Sequence, residues 1–173
     1  MNPNGTGTIN TSLSDGGSGT FAIVLNSGGK GFQMIMTTCN PGCTTNILSG
    51  TGIATEETSF TNKSLKGAFE FLTVKWNENA NAVNAVGVAT FDGKGNVGAS
   101  LTADNAGTVM TASASGTYSV NSDGSGSLTL SNNQGYAESL AFALNAKNKG
   151  MQLLITSCSG CTESVQTGSA TLQ

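Results

Sequence analysis

Gly5–Cys39, GTGTINTSLSDGGSGTFAIVLNSGGKGFQMIMTTC, returns as Gly124–Cys158, GSGSLTLSNNQGYAESLAFALNAKNKGMQLLITSC. The two stretches align without a gap, with about a third of the positions identical and apolar residues at matching alternate places, the mark of an internal repeat. Each copy ends in a cysteine pair: Cys39-Asn40-Pro41-Gly42-Cys43 after the first, Cys158-Ser159-Gly160-Cys161 after the second. Within the first copy, Phe21, Ile23 and Leu25 alternate with Ala22 and Val24, and Phe32, Met34 and Met36 alternate with Gln33, Ile35 and Thr37. A period of two is that of a β-strand, and the Ser27–Gly31 turn between the runs makes them neighbouring antiparallel strands. Leu140, Phe142 and Leu144, then Met151, Leu153 and Ile155, repeat the arrangement.

Outward from the repeat the same grammar continues. Gly5 to Leu13 reads as a polar edge strand and Asn46 to Glu56 as a fourth, less apolar one. Alternation stops and charges gather at the junction, residues 58–65, a stretch that also admits a short helical turn. From Lys66 onward come further strands: Phe69 to Trp76, Ala85 to Phe91, Val97 to Ala103 and Thr108 to Val120 lead into the second copy, and Ser164 to Gln173 closes the chain. About twelve short strands joined by glycine-rich turns predict an all-β, antiparallel up-and-down meander that closes as a barrel, with a β-sandwich as the alternative. The predicted organisation is an N-terminal half repeat over 1–57, the junction, and a full unit over 66–173, packed as one continuous β structure.

Composition narrows the function classes. Of the 173 residues only 10% are charged, the net charge is -3, and neither His nor Arg occurs. Nucleic-acid binding needs a basic surface, so no nucleic-acid partner is expected. No apolar run is long enough for a membrane helix. With 37% hydrophobic residues in periodic order, the chain can bury a core and is not disordered.

The runs GTYSVNSDGSGSLTL (Gly116 to Leu130) and AVGVATFDGKGNV (Ala85 to Val97), with the ending Thr167 to Gln173, resemble a β-rich repeat of uncharacterised secreted proteins of soil bacteria. The resemblance covers about Lys66 to Gln173, with Gly5 to Ala54 as a half copy. It implies a lipocalin-like barrel outside the cytoplasm and no activity. By that pattern the chain starts in mid-unit. Asn2-Pro3-Asn4 aligns with Asn121-Ser122-Asp123, and the first copy has no counterpart of Lys66–Val120. Its apolar strands either share the strands of the second copy or take partners from a neighbouring molecule.

Few residues carry chemistry. Without His, Ser-His-Asp and Cys-His arrangements cannot be built, and no enzyme, cofactor or metal is expected. Carboxylates remain at Glu70, Asp92, Asp104, Asp123 and Glu138, mostly in turns where water keeps them ordinary. Asp92–Asn96 and Asn121–Ser125 place oxygens as calcium loops do, but hairpin turns demand the same residues. Cys39 with Cys43, and Cys158 with Cys161, flank turn sequences, which in an exported protein makes each pair a local disulfide at a hairpin tip. A four-thiolate zinc site is the rival. Met1-Asn2-Pro3-Asn4 has no signal-peptide character, so export would require a leader already removed.

The faces opposite the large residues hold Ala22, Val24 and Ile35, and Ala141, Ala143 and Leu154. A barrel face turned to water carries polar residues, so these six are candidate subunit contacts. The resulting expectation is a non-catalytic extracellular or cell-surface protein acting by self-assembly, a homo-oligomer, filament or surface-layer subunit. The alternative is a lipocalin-like barrel whose interior, lined by Phe69, Phe71, Phe142, Leu144, Met34 and Met36, holds a small apolar ligand.

Overall fold

The computed structural model describes residues 1–12, 14, 16–26, 31–40, 49–53, 59–77, 82–105, 107–145, 150–159 and 164–173. Its strands are β1 (Thr6–Ser12), β2 (Ser18–Leu25), β3 (Gly31–Asn40), β4 (Ser49–Ile53), β5 (Lys66–Asn77), β6 (Ala82–Asp92), β7 (Asn96–Asn105), β8 (Thr108–Val120), β9 (Ser125–Asn132), β10 (Ala137–Leu144), β11 (Gly150–Ser159) and β12 (Ser164–Leu172). A 3-10 helix, Asn62–Ser64, precedes β5. The chain divides into two compact units, Met1–Ala54 and Thr55–Gln173.

The all-β, up-and-down antiparallel barrel is found, and a sandwich is not. Among the described residues the twelve strands fall into two hydrogen-bonded sheets. Eight close as a barrel in the order β10-β11-β12-β5-β6-β7-β8-β9, and four form a separate sheet, β1-β2-β3-β4. The reason is hydrogen-bond geometry. Once β12 pairs with β5 and β9 with β8, every barrel strand has two neighbours and no edge is left to receive β1 or β4.

Alternation decides what fills the barrel. Phe69, Phe91, Val97, Tyr118, Leu128, Leu140, Phe142, Leu144 and Met151 all point inward and are buried. Their rings meet edge to face: Phe69 to Phe91 at 5.4 Å and Phe91 to Tyr118 at 5.1 Å between centroids. This is the offset geometry that aromatic quadrupoles favour. Large rings fit because small residues stand opposite. A Cβ on Gly126 would collide with the Phe142 ring and the Ser119 carbonyl, so glycine there lets β8 and β9 close over the ring.

One barrel end is plugged. Phe60 and Leu65, on either side of the 3-10 helix, are buried in the core. The Tyr118 hydroxyl reaches the Leu65 carbonyl, just past the helix, at 2.7 Å and the Asn62 carbonyl in its first turn at 3.1 Å. The Asn62 side-chain oxygen accepts from the Val120 amide at 2.8 Å, tying the plug to β8. Burial raises the Tyr118 phenol above its ordinary pKa.

The first unit builds its hairpin as the barrel builds β10 and β11. Phe21 faces Met36 and Ile23 faces Met34, as Leu140 faces Ile155 and Phe142 faces Leu153. The register slips between Thr20 and Phe21 in one and between Ser139 and Leu140 in the other, the same place in both copies. Thr37 Oγ1 donates to the Thr20 carbonyl at 3.1 Å, and Thr156 Oγ1 to the Ser139 carbonyl at 3.0 Å. Both entry turns use a glycine at positive φ, Gly5 at 80° and Gly124 at 85°.

Candidate functional site

The sheet β1–β4 has what the barrel lacks, two strand edges with no partner among the described residues. The Leu25 amide donates to the Gly5 carbonyl at 2.9 Å, so Gly5 and Leu25 form a hydrogen-bonded pair. Antiparallel ladders alternate, and Thr6 stands opposite Val24, Thr8 opposite Ala22 and Asn10 opposite Thr20. The backbone groups of Thr8 and Asn10 therefore turn away from β2, towards the open edge. In β9 the matching residues are Ser127 and Thr129, which stand opposite Ser119 and Thr117 of β8. Hydroxyl pairs run along that closed seam, Ser119 with Ser127 at 3.0 Å and Thr117 with Thr129 at 3.1 Å.

The open sheet also has an apolar inner face. Phe21 and Ile23 are buried, Met34, Met36, Phe32 and Ile9 only half so. Leu25 is 37% exposed, whereas its counterpart Leu144 is 7% exposed. Phe32 corresponds to Met151, which is 2% exposed, and Ile9 to Leu128, at 4%. Identical patterning thus ends in incomplete cover.

The candidate contacts Ala22, Val24, Ile35, Ala141, Ala143 and Leu154 lie on the outer faces. Ala22 stands opposite Ile35, and Ala141 opposite Leu154, so each hairpin brings two of them together. Val24 and Ala143 instead face Gln33 and Gln152. Val24, Ile35 and Leu154 are about half exposed.

Of the residues proposed to line a ligand cavity, Phe69, Phe142 and Leu144 belong to the packed core and Phe71 packs against it, while Met34 and Met36 lie in the other sheet. Thr73 points inward in the barrel, buried, and its Oγ1 has no hydrogen-bond partner. Parity could not separate these two fates, because the inner faces of both sheets carry the same alternating signal.

Four acidic residues are bound into their own surroundings. Asp92 accepts from the Asn96 side chain and from the Lys94 and Asn96 amides, and these bonds, the Asn96 side chain's above all, hold its pKa at about 2. Asp123 accepts from the Ser125 hydroxyl and amide, which lower its pKa as well. Asp104 accepts from the Gly107 amide at 2.8 Å, and Glu70 from the Gln173 side chain at 2.9 Å. A shallow trough across β6–β8, lined by Val86, Val88, Ser100 and Thr111 among others, carries no charged side chain.

Among the described residues no three His, Cys, Asp or Glu cluster. Cys43, Cys161 and the Cys39 side chain lie outside the described residues, and with them the pairing and the zinc alternative.

No family model and no curated protein matches the chain. Solved structures similar to the chain include two β-barrels. A de novo designed fluorescence-activating β-barrel is 10% identical with a TM-score of 0.49, over 65% of this chain and 96% of its own. A redesigned β-barrel is 12% identical with a TM-score of 0.46, over 69% of this chain and 99% of its own.

Proposed function

We propose that the protein is a non-catalytic extracellular or cell-surface structural protein that acts by self-assembly, its subunits joining through strand pairing as a filament or surface layer does. One observation carries this reading: the sheet β1–β4 has two open edges among the described residues, whereas the strands of matching sequence, β9–β12, are closed on both sides. Natural sheets guard an open edge with charge or proline. β1, TGTINTS, and β4, SGTGI, contain neither. The low charge of the chain also leaves little repulsion to oppose close association. Paired cysteines at turn sequences suit an oxidising compartment. Light scattering of the full chain, with negative-stain microscopy of material from its source, tests the reading. Species larger than one subunit are expected, and a monomer at every concentration overturns it.

A second reading, a lipocalin-like barrel holding a small apolar ligand, draws on the Thr73 hydroxyl, a buried polar group without a partner. Native mass spectrometry of protein from its source checks it. A co-purified small molecule lost on Thr73→Val supports that reading, and bare protein mass removes it.

A further inference from the structure

We propose that the open sheet β1–β4 closes on the β1–β4 sheet of a second copy, the two halves related by a twofold axis along a shared barrel axis and making one eight-stranded barrel between subunits. This rests on the strand-pairing reading above and names its partner.

Strand direction permits the closure. In a four-stranded meander β1 and β4 run in opposite directions, so β4 of one copy beside β1 of the other is antiparallel. The twofold makes the second seam the same. Four strands are too few to close alone, while eight give a barrel whose interior side chains just fill, the size this chain already builds from β5–β12.

The partner follows by elimination among the described residues. Strands β5–β12 are closed and have no edge to lend without opening a packed core. The unpaired edges are β1 and β4, so they are each other's partners in trans.

The inner face agrees. Leu25, Phe32 and Ile9 are incompletely covered where Leu144, Met151 and Leu128 are buried beneath the facing half of their own barrel. A second sheet of the same kind supplies that cover. Such closure uses up both edges of both subunits, so pairing through them stops at two, and a filament or layer would be built from these dimers through their outer faces, where Val24 and Ile35 are about half exposed.

The test uses the full chain and needs one variant and one measurement without a variant. Native mass spectrometry and light scattering are expected to give two subunits that dissociate on dilution. Thr8→Pro removes an amide that β2 does not use, and proline is tolerated on edge strands. It is expected to yield a monomer that keeps the wild-type far-ultraviolet dichroism. Hydrogen exchange of the unmodified protein is expected to protect the Thr8 and Asn10 amides in the dimer and release them at least tenfold faster on dilution. Open-ended polymers that protect these amides overturn the twofold closure and leave strand pairing standing. A dimer that Thr8→Pro does not weaken and whose Thr8 and Asn10 amides exchange freely overturns the use of these edges. A monomer at all concentrations overturns both.

Discussion

The hairpins β2–β3 and β10–β11 share a register, a bulge and the threonine bond that accompanies it, yet Leu25 is five times as exposed as Leu144. What they share is local, set by alternation and turn residues within one stretch of chain. What separates them is long-range: β9 and β12 have β8 and β5 beside them, and among the described residues β1 and β4 have no strand on their outer edges. Burial in a barrel is therefore a property of closure, and equal patterning does not guarantee it.

Paired substitutions at matching positions sharpen this contrast. Leu144→Ala should cost the barrel about 3 kcal/mol, a core cavity, while Leu25→Ala should cost the β1–β4 sheet about 1 kcal/mol. Denaturant unfolding followed by hydrogen exchange in β10 and β2 reads both, and equal costs break the comparison. Gly126→Ala comes next, at about 2–3 kcal/mol, since its Cβ meets the Ser119 carbonyl and the Phe142 ring. At the matching Gly7 a Cβ meets chiefly the flexible end of the Met1 side chain, so Gly7→Ala should change stability by less than about 1 kcal/mol. Thermal melts of the two variants decide it.

Tyr118→Phe removes the hydroxyl that holds the plug and should cost about 1–2 kcal/mol, with faster exchange of the Val120 amide as the local sign. The smallest effect distinguishes the two entry turns. Asp123 and Asn4 occupy matching positions and accept from Ser125 and Thr6 in the same way. Only Asp123 titrates, and its folded pKa lies below the ordinary 3.8. Its support for the turn is therefore complete above that value and is lost as pH falls through the lowered one. Amide shifts followed in acid should move at Ser125 and stay still at Thr6.

Most of the architecture was legible because its signals are short-range. Phe21 to Leu25 and Leu140 to Leu144 announce strands by parity, and Asp92–Asn96 and Asn121–Ser125 announce turns by chemistry. The junction at 58–65 showed its break in alternation, though not that Phe60 and Leu65 leave it to plug a barrel. Nor did parity reveal which inner faces are shared. Met34 and Phe142 read alike, and they lie in different sheets. The edge positions Thr8 and Asn10 stayed hidden in a polar strand whose side chains say nothing about where its amides point.

By itself the sequence determined strand positions, hairpin register and the inward set of each strand, since period-two alternation and glycine or Asx turns act over a few residues. Only the tertiary structure decided that eight strands close and four do not. Closure depends on hydrogen bonds between strands distant in the chain, β12 with β5 above all, and no local pattern encodes which edges meet.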